Sequence, residues 1–171
     1  MTKQNFVNTF LPAALKAVAG TSFFAVVEIA EAAVESRWGE SELTQKGNNL
    51  FGVKAYPQYW TGEVITMHTK EYDKQGHPFF IDADFKKYPT AIDSFTDHVK
   101  VLQGKRYRAA GVGSETSPED EISDIAKAGY STSDSYAKLI STIIEELRPL
   151  MPVDTSYPDP KNPFFNPENF A

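Results

Sequence analysis

Cysteine is absent from all 171 residues, which excludes disulfides, thiolate metal sites and cysteine nucleophiles. Positive charge is in deficit. The 17 Lys and Arg against 23 Asp and Glu leave a net charge of −6, so no basic face is available to meet phosphates and no nucleic-acid partner is expected. No run approaches the ~20 apolar residues of a membrane helix. The segment from Met1 to Leu11 carries one Lys and no long apolar core, so a secretory signal is not expected there. Histidine is scarce, and His68, His77 and His98 lack a metal-ligand spacing. Gly111-Val112-Gly113-Ser114 lacks the strand–turn–helix context of a phosphate cradle. No metal and no cofactor are expected.

What is present suits a globular chain: 41% hydrophobic, 23% charged and 13% aromatic. A chain of this size buries roughly 70% of its unfolded surface. One domain over 1–151 is expected. Phe6, Phe10, Ala14 and Val18 recur at helical spacing before Gly20. Thr21-Ser22 then offers a cap for a second helix from about Phe23 to Trp38, ended by Gly39. Residues 52–88 hold alternating stretches between Gly and Pro, which predict a small antiparallel β-lobe with a hairpin around Gln75-Gly76. Helices are predicted again from about Thr90 to Leu102, Pro118 to Ala128 and Ser133 to Leu147. Residues 152–171, with Pro152, Pro158, Pro160, Pro163 and Pro167, read as an extended Pro/Asn-rich tail.

The second helix is apolar almost all round, the pattern of a buried helix, yet Glu28, Glu31 and Glu35 interrupt it. With Phe24 and Trp38 they fall within a stripe of roughly 80°. A carboxyl group in an apolar cleft resists ionisation and can hold a proton near neutral pH, which is what a glycosidase acid must do. A narrow solvated edge would account for the same pattern, but such an edge more usually mixes in Lys or Arg.

The residues that follow carry a resemblance. Ala32-Ala33-Val34-Glu35-Ser36-Arg37-Trp38-Gly39, then Ser41-Glu42-Leu43, then Asn48-Asn49-Leu50-Phe51-Gly52-Val53-Lys54-Ala55 resemble the core signature of glycoside hydrolase family 73. Those enzymes are lysozyme-like β-N-acetylglucosaminidases that cleave peptidoglycan. Further blocks resemble the family in order: Trp60-Thr61-Gly62, Thr69-Lys70-Glu71-Tyr72, Phe85-Lys86-Lys87-Tyr88, Ser94 to His98, Gly129-Tyr130-Ser131-Thr132 and Tyr136-Ala137-Lys138-Leu139. There are departures. Glu31 stands where Gln is common, Arg37 where a small residue is frequent, and Ser133-Asp134 where the family has Asp-Pro.

The resemblance implies an α+β, mainly α fold, with a lysozyme-like helical lobe, a small antiparallel β-lobe and a cleft between them. It implies Glu35 as the general acid, the residue the buried stripe also indicates. For the second carboxylate it favours Glu71 over Glu63, which reads as a surface residue. The mechanism is then an inverting displacement or one assisted by the substrate's N-acetyl group, with Tyr130 orienting that group; Tyr130 also reads as a core aromatic. Trp38, Tyr56, Tyr59 and Trp60 could face sugar rings, and Trp38 could equally pack in the core. Asn48 and Asn49 fit a turn between lobes. Asp97-His98 suggests a dyad, though a helix-packed hydrogen bond suits it better, and Lys105 to Arg108 reads as a solvated helix end.

The expected activity is cleavage of the β-1,4 bond after N-acetylglucosamine in bacterial peptidoglycan, by a monomer. The rivals are a muramidase or lytic transglycosylase, a phage lysin, and an inactive wall-binding module. The expected place of action is outside the cytoplasm, reached through a specialised secretion system or a phage. The secretion route implies an antibacterial effector with a cognate immunity protein.

Overall fold

The computed structural model describes residues 1–151 except 74, 132 and 134. The tail expected over 152–171, and the family-like positions Thr132 and Asp134, lie outside the described residues. The N-terminal periodicity forms α1 (Lys3–Val18), started by the Thr2 side chain accepting the Asn5 N–H.

The second helix, α2 (Ala25–Glu35), is shorter than predicted at both ends. Thr21 does not cap it. Its hydroxyl donates to the Val18 carbonyl at 2.6 Å and accepts the Phe23 N–H at 3.2 Å, so it closes the turn after α1 instead. The Phe24 N–H at the helix start is met by the carboxyl of Glu121, 97 residues on, at 3.3 Å. At the far end the helix stops before Trp38, because Arg37 and Trp38 adopt φ of 52° and 57° and Gly39 follows at 78°. Two non-glycine residues in the left-handed region carry strain. The turn is held by the Ser36 hydroxyl accepting the Gly39 N–H at 2.8 Å and by Trp38 N–H to Ala33 O at 2.7 Å. Gly39 is needed here for space as well as φ, since a Cβ would lie 3.1 Å from the Phe10 ring.

A short helix that the sequence reading did not find, α3 (Glu42–Gly47), follows with Ser41 as its cap. The β-lobe is the hairpin β1 (Val64–Tyr72) and β2 (Pro78–Lys86), antiparallel in a register that pairs Val64 with Lys86 and Tyr72 with Pro78. A bridge between Lys54 and Phe85 adds a third edge. Alternate residues face opposite sides. Ile65, Met67, Thr69 and Glu71 form the more buried side of β1, and Ala83 and Phe85 that of β2. Gly47 admits Ile65 beneath α3, where a Cβ would lie 2.5 Å from the Ile65 side chain.

Then come α4 (Ala91–Leu102), with a Thr90–Asp93 capping box, and α5 (Lys105–Ala110), which contains the segment read as a helix end. They are followed by α6 (Pro118–Lys127) and α7 (Tyr136–Leu147), with a 3₁₀ turn at Arg148–Leu150. The expected start of α7 at Ser133 is three residues early. The fold is the expected α+β, mainly helical one. In it α2 is the hub, packed against α1, α6 and α7, and every residue from Ala25 to Ala33 is buried. Among the described residues no helix is long and apolar enough to cross a membrane.

The two lobes are joined by side chains, and by the backbone bond from Tyr88 N–H to Gly47 O at 2.8 Å, rather than by a shared sheet. Asn48, with φ 49°, ends α3 and donates to the carbonyls of Tyr88 and Pro89. Asn49, buried, donates to Val53 O and Lys86 O and accepts the Val53 N–H. Ser94 on α4 receives the Leu50 N–H at 3.1 Å. Asp97 on the same helix accepts from Lys86 Nζ at 2.8 Å and Tyr88 OH at 2.6 Å.

Candidate active site

The carboxylate stripe of α2 divides by depth. Glu28 and Glu31 are fully buried, whereas Glu35, the last residue of the helix, keeps one side open to solvent. An interior carboxylate must be partnered or neutralised, and the surroundings supply partners from three elements. His98 on α4 places Nδ1 2.9 Å from Glu28 Oε2 and Nε2 2.9 Å from the Tyr130 hydroxyl. Its ring stacks on Phe51 at 3.9 Å. Tyr136, at the start of α7, donates its hydroxyl to Glu31 Oε1 at 2.7 Å. The rings of Tyr130 and Tyr136 stack at 5.6 Å.

Charge and burial shift these groups together. Partial burial raises the Glu35 pKa, against a smaller lowering by His98. Burial likewise lifts Glu31, to about 7, with Glu28 and Glu35 adding to the rise and His98 and the Tyr136 hydrogen bond opposing it. Burial alone would lower His98, but the charge and hydrogen bond of Glu28, with the charges of Glu31 and Glu35, together outweigh it, and the pKa is raised. Glu121 is held well above the usual carboxylate range, by burial first. Burial therefore favours the protonated form of Glu31, Glu35 and Glu121, and Glu35 is the member of the stripe that solvent reaches.

Glu71 lies on the more buried side of β1, opposite Phe79, and its carboxyl accepts from Lys54 Nζ at 2.6 Å. Glu63 is exposed and pairs with Lys87 at 2.6 Å. Trp60 donates its ring N–H to Glu63 O at 2.9 Å, meets Tyr88 edge-on at 5.5 Å and lies under Lys86 Nζ at 4.8 Å. Two clefts, of about 520 and 200 Å³, share Trp60, Tyr88 and Pro89 in their walls. Tyr56 and Tyr59 are exposed nearby in sequence. Trp38 is turned to α1, edge-on to Phe6 at 5.5 Å and with Lys3 Nζ 5.3 Å over its ring.

The structure thus brings Glu35, Tyr130 and the buried acids into one electrostatic unit and leaves Glu71, Tyr56 and Trp60 on or beside the β-lobe. Asp97 and His98, adjacent in sequence, serve opposite partners: Asp97 the β-lobe and His98 the core of α2. The sequence reading missed Glu121 and the bond made by Tyr136. The i, i+4 pair Ser94 and His98, both buried on α4, was the available clue to the role of His98. Glu28, Glu31 and His98 are close enough to suit an ion, with one ligand-type atom from each within 4.8 Å of the others. Both ring nitrogens of His98 are already engaged, however, so these residues form a hydrogen-bonded cluster.

Comparison with known proteins gives the same core. A family profile described as mannosyl-glycoprotein endo-beta-N-acetylglucosaminidase matches residues 11–149. The exo-glucosaminidase LytG of Bacillus subtilis is 36% identical over 135 residues, covering 70% of this chain and 43% of that protein. The peptidoglycan hydrolase FlgJ of Pseudomonas aeruginosa is 34% identical over 148 residues, covering 84% of this chain and 36% of that protein. The chain therefore spans well under half the length of either relative. The catalytic domain of the Listeria monocytogenes autolysin Auto superposes with a TM-score of 0.74 at 30% identity, covering 84% of this chain and 83% of that one.

Proposed function

The chain belongs to the glucosaminidase family of glycoside hydrolases, and on that premise we propose that it hydrolyses the β-1,4 bond after N-acetylglucosamine in bacterial peptidoglycan. The observation that carries this reading is Glu35: a carboxyl at the solvent-reached end of a buried acid stripe, its pKa raised by partial burial. Relatives named exo-glucosaminidase and peptidoglycan hydrolase support the choice of glycan.

In this mechanism Glu35 gives its proton to the glycosidic oxygen as the bond to the anomeric carbon breaks. Glu71 is the second carboxylate. It takes a proton from the water that attacks the opposite face, or stabilises the positive charge that develops on the sugar. Lys54 orients the Glu71 carboxyl through their 2.6 Å contact. Tyr130 is the proposed contact for the acetamido group, and Tyr56 and Trp60 offer aromatic faces to neighbouring sugars. Trp38, engaged with Phe6 and Lys3, is not assigned to the sugar-binding surface.

The test is digestion of purified peptidoglycan by the wild type and Glu35→Gln, with mass spectrometry of the reduced products. Reduced N-acetylglucosamine ends made only by the wild type are expected. Muramic or anhydro-muramic ends would overturn the bond assignment, and no soluble product would overturn the enzyme.

The place of action we propose is the cell wall, outside the cytoplasm, in a competing bacterium. A cognate immunity protein then protects the producer. Expression directed to the periplasm should be toxic where cytosolic expression is not. Equal tolerance of both counts against delivery of this kind.

A further inference from the structure

Two carboxyl oxygens at the centre of the protein have no hydrogen-bond partner: Oε1 of Glu28 and Oε2 of Glu31, both on side chains with no exposed surface. The other oxygen of each is engaged, by His98 for Glu28 and by Tyr136 for Glu31. One carboxyl oxygen from each residue and a ring nitrogen of His98 lie within 4.8 Å of one another. Two neighbouring buried carboxylates, each with one bare oxygen, would repel each other and forfeit solvation.

The groups that act on Glu31 come from every element around it. They are Glu28 and Glu35 on α2, His98 on α4, Tyr136 on α7, Tyr130 before α7 and Glu121 on α6. His98 is the one group among these that can carry a positive charge. A metal ion would need a lone pair from His98, whose two nitrogens already meet Glu28 and Tyr130.

We propose that Glu28 and Glu31 share one proton between their two carboxyls, directly or through one water. We propose further that this proton, with His98 charged beside it, sets the pH at which Glu35 gives up its own. The second part rests on the reading of Glu35 as the acid. Glu31 lies one helical turn before Glu35, so losing the shared proton places a like charge beside the acid and holds Glu35 protonated to higher pH. The His98 cation acts in the opposite sense. The raised pKa of Glu31, about 7, accords with a proton kept there. Glu31 is in this sense a positioning residue that acts through Glu35.

Glu31→Gln is the informative variant. Its amide oxygen can keep the Tyr136 bond, and its amide nitrogen can donate toward the Glu28 carboxyl, so the pair needs no proton. The variant should melt above the wild type at pH 8, with the difference narrowing at pH 5. The alkaline limb of its kcat/KM profile on peptidoglycan should fall about one pH unit earlier. In the wild type, ¹³C NMR of the glutamate carboxyls should show, besides Glu121, a buried carboxyl still protonated at pH 6 whose signal is lost in Glu31→Gln. Three results overturn the proposal: lower stability of Glu31→Gln at every pH, an unmoved alkaline limb, or one equivalent of divalent metal retained by the wild type through chelation. If the wild type releases no sugar from peptidoglycan, the glycosidase reading falls, and the melting and NMR measurements still decide the shared proton.

Discussion

The hydroxyl of Tyr136 donates to Glu31 at 2.7 Å across 105 residues of sequence. The bond ties the start of α7 to the centre of α2, and with it the last helix of the core to the helix that carries the candidate acid. Both partners are buried, so neither can turn to water for a replacement. Tyr136→Phe removes the donor and leaves a second oxygen of Glu31 bare. It should lower stability by about 1–3 kcal/mol, read as a shift in urea midpoint at unchanged slope.

Glu35→Gln should lower the rate of product release by about 10²-fold or more, because an amide cannot protonate a leaving group. The melting temperature should hold or rise, since the charged form of a partly buried carboxyl is removed. Calorimetry beside the digestion separates this from misfolding, and a folded variant that keeps full activity would remove Glu35 as the acid.

The pH dependence of stability follows from the buried acids. Burial pushes the Glu31 carboxyl up to about 7, from an ordinary 4.5. An acid whose folded pKa is raised contributes stability that is complete below its unfolded pKa and is lost as pH rises through its folded pKa. Glu121 and His98, both raised, act in the same direction. Melting temperature should therefore peak on the acid side, near pH 5, and fall by on the order of 5–10 °C toward pH 8. A flat or rising profile over that window would mean that these carboxyls are ionised throughout.

Asn49→Ala should loosen one lobe and spare the other. The side chain makes three hydrogen bonds to the backbone of Val53 and Lys86. Hydrogen exchange should speed up at 53–55 and in β2 while α2 stays protected. Faster exchange in α2 as well would show that the lobes unfold as one unit.

Arg37→Gly should stabilise the protein, by up to about 1 kcal/mol, by relieving the left-handed φ of 52° at a side chain open to solvent. Gly39→Ala should do the reverse, since its Cβ would meet Phe10 as well as the wrong φ. Melting of the two variants against the wild type is sufficient to test the pair.

The helices with an apolar face, the hairpin and the acid stripe could be read from the chain because each is a local pattern: a period of 3.6, a period of 2, or a turn signal. Helix ends were read less well. The Thr21-Ser22 pair looks like a cap, but the group that meets the start of α2 is Glu121, and nothing local announces a partner 97 residues away. The stop at Glu35 rather than Trp38 was hidden for the same reason: it depends on Trp38 turning to Phe6 across the fold. The stripe itself named Glu28, Glu31 and Glu35, but not which of them meets solvent. That depended on His98, Tyr130 and Tyr136 closing over the inner two. Asn48 and Asn49 were legible as a turn because asparagine tolerates the conformation, whereas their hydrogen bonds to β2 and to the segment before α4 were not.

The early stop of α2 has an electrostatic consequence. The aligned peptide dipoles of a helix leave a partial negative charge at its C-terminal end, felt mainly within the last turn. Had α2 run on to Trp38, Glu35 would sit inside the helix, its carboxyl a turn away from that charge. With the chain reversed by the left-handed turn at Arg37 and Trp38, Glu35 is the terminal helical residue. Its ionised form then faces the negative pole of its own helix, at a cost of about 0.3–1 kcal/mol. The backbone strain two residues downstream is thus converted into a small, permanent preference of Glu35 for its proton.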